Sequence, residues 1–133
     1  MTQIVLYLST AAIFLVIDAV MLTAVIKPLF ERHLGDTLLQ EIRLLPAIIF
    51  YLFYILALQW LVTAPALETG PSWRVSLNAA VFGAVAYGTY EFTNWATLRS
   101  WSGEMVAVDF TWGIVLTTLS AVGGLAVTRL LTS

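Results

Sequence analysis

Four apolar stretches, each long enough to cross a lipid bilayer, follow one another along the chain. They run from about Ile4 to Ile26, Pro46 to Ala64, Val75 to Leu98 and Met105 to Thr128. A hydrocarbon core about 30 Å thick needs roughly 20 helical residues to cross it. All prolines lie at or outside the limits of these stretches, where a residue without an amide N–H disturbs a helix least. The pattern predicts an all-α integral membrane protein, a single domain built as a four-helix transmembrane bundle.

The composition supports the same class. Of the 133 residues, 60% are apolar and 11% are charged, whereas about a quarter of the residues in an ordinary soluble domain are charged. Because a small domain leaves much of its chain at the surface, a soluble fold of this length could not bury so much apolar surface. The net charge of −2 and the lack of a basic stripe argue against a nucleic-acid partner. The expected partner is the lipid bilayer.

The connections between these stretches differ in length and charge. In the first, residues 27–45, charged side chains alternate with apolar ones, and Leu38, Ile42 and Leu45 share one helical face. This predicts a short amphipathic helix in the headgroup region, with a solvated His33 nearby. The third connection has only about six residues, so the third and fourth helices are expected to be antiparallel neighbours. Aromatic belts at the two interfaces are predicted from the tryptophans near the connections, Trp60, Trp73 and Trp101.

The basic residues favour one orientation of the chain in the membrane. The first and third connections hold Lys27, Arg32, Arg43 and Arg99. The opposite side holds Arg74 and Arg129. Because cytoplasmic segments carry an excess of Lys and Arg, the first and third connections are predicted to be cytoplasmic and both termini to lie on the other side.

Three carboxylates lie inside the predicted spans, namely Asp18, Glu91 and Asp109. An ionised carboxylate at the centre of a bilayer costs about 2.5–3.5 kcal/mol on insertion scales. These groups must therefore be protonated, hydrogen-bonded, paired or hydrated. At the rise of a helix, each lies about 7–13 Å from the charged residue beyond the cytoplasmic end of its span. All three are predicted to lie in the same half of the membrane, with Asn94 at a similar depth, and to form one shared site.

Helical spacing predicts polar and small-residue stripes that face one another. The fourth helix carries Asp109, Gly113, Thr117, Ser120 and Gly124. The third helix carries Tyr87, Tyr90, Glu91, Asn94 and Thr97, extended by Ala80, Ala84 and Gly88. The acid-bearing face of the first helix consists of Ala11, Phe14, Asp18, Met21 and Val25. Side chains expected to support the acids, by hydrogen bonding or by packing alone, are Tyr51, Tyr54, Tyr87, Tyr90, Thr97 and Trp112.

The acids allow a structural and a functional interpretation. Neutral carboxylic acids can serve only as hydrogen-bonding contacts between helices, worth about 0.6–2 kcal/mol each. Intramembrane ionisable residues are otherwise typical of function, which makes Asp18, Glu91, Asn94 and Asp109 the candidates for catalysis or for ion or substrate binding. Any metal would be Mg²⁺, Mn²⁺ or Ca²⁺ rather than zinc, held by Asp18, Glu91 and Asp109. The sequence offers no phosphate loop, nucleophile elbow or zinc motif, and the cofactor stays open.

Two segments resemble a known family. The sequence YGTYEFTNWATL (residues 87–98), followed by Trp101 and VDFTWG (residues 108–113), resembles the signature of predicted bacterial membrane proteins grouped as domain of unknown function 2177. Asp18, Tyr51 and Tyr54 agree with it, so the resemblance covers nearly the whole chain. Position 91 is often Asp in that family, and Glu91 moves the carboxyl outward by one methylene. The resemblance implies four spans in the bacterial inner membrane and no activity; family members are associated with genes of lipid modification and of light or oxidation response. Together with the orientation favoured by the basic residues, an inner-membrane location predicts periplasmic termini.

Three classes of function remain open. A membrane enzyme could act on a lipid or isoprenoid, with Glu91 and Asp109 as general acid and base, and the gene association favours this hypothesis. The alternative is a proton- or cation-coupled small transporter, which at this size requires a homo-oligomer. In the third hypothesis the chain is a structural or accessory subunit whose acids only lock the bundle.

Overall fold

The computed structural model describes residues 1–39, 41 and 43–132, and every regular element within them is helical. Four long helices follow one another: α1 is Thr2–Thr37, α2 is Leu44–Ala66, α3 is Trp73–Thr97 and α4 is Gly103–Thr132. Among the described residues, α1, α2 and α4 are long and apolar enough to cross a membrane. The 25 residues of α3 are long enough as well, but their polar content keeps α3 below the same level of hydropathy. Three spans are thus supported, and the fourth stays a prediction.

Helix α1 continues past its predicted end at Ile26. A π-helical turn over Leu22–Ile26 leads into a further helical segment, Lys27–Leu34, and α1 ends in a 3₁₀ turn over Gly35–Thr37. Pro28 therefore lies inside a continuous helix, and the prediction that every proline lies at or beyond a helix end was wrong. A proline ring clashes with the carbonyl four residues earlier, and the wider π turn rearranges the carbonyls there. The same arrangement recurs in α2, where a π turn over Gln59–Thr63 ends two residues before Pro65.

The amphipathic segment of the first connection is the end of α1 rather than a separate helix. Helix Lys27–Leu34, which we call the cap, buries Leu29 against Trp101, Met105 and Val106. Leu38 and Leu45 of the predicted helical face do not share a helix, because Leu38 has an extended backbone and Leu45 lies, exposed, in the first turn of α2. Ile42 of that predicted face lies outside the described residues.

Helix α4 is the centre of the bundle, with α1 and α3 packed along it. Its predicted small-residue stripe is confirmed, because Asp109, Gly113, Thr117, Ser120 and Gly124 are all buried. Gly124 faces Thr10 of α1, and Gly83 of α3 faces the carbonyl of Gly113, so the backbones approach closely at glycines. This close approach of backbones is the usual basis of helix association in lipid.

The helices run up and down in alternation, and α3 lies antiparallel to α4 as predicted. Along α3 and α4, Gly83 meets Thr117, and Gly88 meets Phe110. The contact ridge of α3 differs from the prediction, since its buried members are Val75, Ala79, Gly83 and Glu91. The expected stripe of Ala80, Ala84 and Gly88 is only half-buried, because Ala80 and Ala84 each follow a buried residue of the contact ridge by one position.

Candidate functional site

Asp18 lies in the core of the bundle although it belongs to an otherwise apolar helix. It sits on the buried face of α1 with Ala11 and Phe14, as predicted, and is only 4% exposed. The indole N–H of Trp112 on α4 donates a hydrogen bond to Oδ1 of Asp18 at 3.0 Å. The phenol of Tyr51 on α2 also faces this carboxyl. Groups from three helices therefore meet at Asp18.

Glu91 is fully buried on α3. It continues the ridge of small residues that packs against α4, so its carboxyl is directed between the two helices. The indole N–H of Trp101 donates to Oε1 of Glu91 at 2.9 Å. The other oxygen, Oε2, is buried without a hydrogen-bond partner among the described residues. The carboxyl of Asp109 lies within hydrogen-bonding reach of Glu91, so a proton on either group can complete a hydrogen bond between them.

Asp109 lies next to Glu91 and completes the group. It is 8% exposed, on the buried stripe of α4 and one turn before Trp112. Its carboxyl neighbours that of Glu91 and is within electrostatic range of Asp18. The structure therefore brings Asp18, Glu91 and Asp109 together from α1, α3 and α4, and we call these three residues the carboxyl cluster.

The cap closes the end of the bundle nearest the carboxyl cluster. Trp101, in the connection between α3 and α4, is folded inward and lies between the rings of Phe30 and Tyr90, with centroid distances of 5.3 and 5.6 Å. Outside this apolar layer, Arg32 forms an ion pair with Glu104 at 3.0 Å. His33, expected to be solvated, is half-buried and contacts the same carboxylate at 3.5 Å. Aromatic and aliphatic side chains therefore separate the carboxyl cluster from the charged surface.

On the side of the bundle, a shallow groove of about 380 Å³ runs between α1 and α4. Its walls include Met21, Val108, Thr111, Trp112 and Val115, and they are almost entirely apolar. Trp112 belongs both to this groove and to the hydrogen bond with Asp18. The groove therefore reaches the edge of the carboxyl cluster from the lateral face of two helices apolar enough to span a membrane.

Of the other predicted site residues, some lie next to the carboxyl cluster and others are farther away. Tyr87 packs its ring over Gly113 and faces Tyr51, so it lines the interior. Tyr54 is buried but bonds to Thr117 at 2.8 Å, farther along α4 from the acids. Asn94 is half-buried at the end of α3, near the hydroxyl of Tyr90.

Tyr90 and Thr97 are the most exposed members of the predicted stripe. Tyr90 is 54% exposed, and it contacts the site by packing its ring against Trp101, while its hydroxyl lies near Asn94. Thr97 is exposed, and its hydroxyl donates to the carbonyl of Thr93 in its own helix. Thr97 therefore does not belong to the predicted polar stripe, and Tyr90 lies at the exposed edge of that stripe.

Trp101 is the site residue that sequence reasoning placed elsewhere. It was expected in an interfacial aromatic belt, but it is 7% exposed and bonded to Glu91. The sequence did contain an indication of this contact, because Trp101 follows the intramembrane acid Glu91 by ten residues and lies in a short connection. Trp60 and Trp73 differ from it, with exposures of 75% and 70%.

No protein cation neutralises the carboxyl cluster in the part of the chain that the structure describes, where the ion pairs join Glu104 to Arg32 and His33. Within residues 1–39, 41 and 43–132, no group of three or more His, Cys, Asp or Glu is placed to hold a metal ion. The donors that reach the acids are instead indole N–H and phenol groups.

The chain matches a family of known sequences. Residues 3–126 match the family described as Predicted membrane protein (DUF2177). The chain belongs to this family. The match includes all or most of each of the four helices and every member of the carboxyl cluster. No curated protein and no solved structure matches the chain.

Proposed function

We propose that this membrane protein handles a lipid or isoprenoid, with the carboxyl pair Glu91–Asp109 donating and accepting a proton. The observation that carries the proposal is the double role of Trp112, which binds Asp18 and also lines the groove between α1 and α4. A molecule in that groove would come from the lipid phase and would lie beside the acids.

The route of access favours a substrate dissolved in the membrane. The cap covers the end of the bundle, where its Leu29 packs against Trp101, Met105 and Val106, and all four residues are at most 7% exposed. A water-borne ion would have to cross this layer, whereas a lipid chain meets the lateral groove directly. An apolar cleft with a few convergent polar groups is the usual form of a small-molecule site.

The chemistry follows from two neighbouring carboxyl groups in an apolar environment. Two ionised carboxylates at such a position would repel one another strongly, so the pair is expected to hold one proton between them. The protonated member can donate to a substrate and the ionised member can accept, which is general acid–base catalysis. Asp18, fixed by Trp112 and Tyr51, would orient the substrate at the mouth of the groove.

The proposal includes the topology. Because α3 packs along α4 over much of its length, we propose that α3 is a fourth span, that the chain lies in the bacterial inner membrane and that its termini are periplasmic. The chain has no cysteine, so Glu68→Cys and Ser100→Cys would each supply a single thiol. With a membrane-impermeant maleimide, Glu68→Cys should label in intact spheroplasts and Ser100→Cys only after permeabilisation. Labelling of both from one side would contradict a crossing by α3.

The activity is tested by comparing extractable lipids of a deletion strain complemented with wild type, Glu91→Gln or Asp109→Asn. Wild type should restore the lipid profile, and neither variant should, because each removes the proton transfer while keeping the shape of the side chain. Glu68→Gln, an exposed acid in the α2–α3 connection, is the matched control and should behave as wild type. An unchanged lipid profile on deletion would exclude this function.

The second candidate is a proton- or cation-coupled transporter, favoured by the burial of two neighbouring carboxyl groups, Glu91 and Asp109, that can take up and release a proton. A bundle of this size would need a homo-oligomer to form a pathway. In proteoliposomes, this function predicts pH-coupled flux that Glu91→Gln abolishes. An accessory role predicts that the neutral substitutions change thermal stability and leave both lipids and flux unaltered.

A further inference from the structure

A second groove, of about 560 Å³, lies at the other end of the bundle from the carboxyl cluster. It is formed by the first turn of α1 and the last turns of α2, with Gln3, Leu56, Gln59, Trp60 and Leu61 among its walls. Gln3 precedes Asp18 by 15 residues, or about 22 Å along α1. This groove is therefore separate from the one beside Trp112.

Gln59 gives this groove a polar wall. It is 7% exposed, and its amide N–H₂ donates both to the carbonyl of Gln3, at 3.0 Å, and to Oε1 of Gln3, at 2.8 Å. The side-chain oxygen of Gln59, Oε1, is buried and has no hydrogen-bond partner among the residues the structure describes. A buried acceptor without a donor costs about 1–3 kcal/mol, so a ligand hydroxyl would be a favourable partner.

The backbone around Gln59 is also unusual. Gln59 begins the π turn that ends at Thr63, two residues before Pro65. A π turn widens the helix and is frequent at functional sites. Here the turn carries three of the groove residues, Gln59, Trp60 and Leu61, and Trp60 is 75% exposed beside the opening.

We infer that this groove binds a neutral lipid whose headgroup carries a hydroxyl, with the hydroxyl donating to Gln59 and the chain lying along Leu56 and Leu61. The groove lining contains no charged residue, so it offers nothing to balance a phosphate or a carboxylate headgroup. The side-chain amides of Gln3 and Gln59 can instead form hydrogen bonds with an uncharged headgroup. This inference does not depend on the function proposed for the carboxyl cluster.

The test uses the full chain in nanodiscs with a monoacylglycerol that carries a photoactivatable diazirine in its acyl chain. Crosslinked peptides, located by mass spectrometry, should concentrate on the segment containing residues 56–64. Gln59→Leu should reduce this labelling roughly five- to tenfold, the factor that one hydrogen bond contributes. The matched control is Leu77→Gln on the lipid-facing side of α3, which should leave the labelling unchanged.

Two competition experiments decide between ligands. Unlabelled monoacylglycerol should displace the probe, whereas phosphatidylglycerol with the same chains should not. Equal displacement by phosphatidylglycerol would contradict a site for neutral headgroups. Labelling spread evenly over α2 and the outer face of α3, unaffected by Gln59→Leu, would mean that bulk lipid alone occupies the groove and would overturn the inference.

Discussion

The indole N–H of Trp101 donates to Oε1 of Glu91 at 2.9 Å, and both residues are buried beneath the cap. Trp101→Phe keeps an aromatic ring but removes the donor, leaving a buried carboxyl without its partner. We expect a loss of about 1–3 kcal/mol in the free energy of unfolding, measured as a lower thermal midpoint in detergent. Trp95→Phe, on the exposed side of α3, is the control and should change little. Equal effects of the two substitutions would argue that the hydrogen bond has no structural role.

The ring of Tyr87 occupies the space over Gly113 where a Cβ atom would stand. Gly113→Ala should therefore push α3 away from α4 and cost about 1–3 kcal/mol through overpacking. Gly123→Ala is a matched change on the same helix, where the added methyl would meet only the end of Ile13 at 3.0 Å. That variant should be neutral or slightly more stable, because Ala is the better helix former by about 1 kcal/mol. A chemical denaturation series of both variants checks the difference, and an unchanged Gly113→Ala would refute the close contact.

The cap should be held by apolar burial rather than by its ion pair. Leu29 is 3% exposed, and Leu29→Ala is expected to cost about 2–5 kcal/mol because it leaves a cavity against Trp101 and Met105. Arg32 is 66% exposed in its pair with Glu104, so Arg32→Gln should cost at most about 1 kcal/mol. The thermal midpoints of both variants are measured at low and high salt. Salt should reduce the effect of Arg32→Gln, because it screens an exposed ion pair, and should not reduce that of Leu29→Ala. A larger loss for Arg32→Gln would mean that electrostatics holds the cap.

Much of the helical pattern could be predicted from hydropathy alone, because lipid requires long apolar helices wherever the chain crosses it. The stripe on α4 was also predictable, since Asp109, Gly113 and Thr117 repeat at helical spacing and small residues mark close packing. The meeting of Asp18, Glu91 and Asp109 followed from their similar depths and antiparallel order. These inferences needed only the rise and the period of a helix.

Other features depend on contacts that periodicity does not specify. Residues 87–97 contain polar side chains over a wide arc of α3, and the position of α4 decides that Glu91 is buried while Tyr90 is exposed. The inward fold of Trp101 depends on the conformation of a short connection. The π turns before Pro28 and Pro65 could not be predicted, because spacing alone does not reveal a helix that continues through a proline.

We propose that the carboxyl pair Glu91–Asp109 holds a proton and is reached from the lipid phase, and two carbodiimides of different solubility can probe both properties. Such reagents add to protonated carboxyl groups, and the modified residue is located by mass spectrometry of peptides. Exposed Glu68 serves as the internal control for reaction from water. We expect lipid-soluble dicyclohexylcarbodiimide to modify Glu91 or Asp109. A water-soluble carbodiimide should modify Glu68 and leave the pair intact unless Leu29→Ala opens the cap. Rapid modification of Glu91 or Asp109 in the wild-type chain by the water-soluble reagent, with none by the lipid-soluble one, would contradict this proposal.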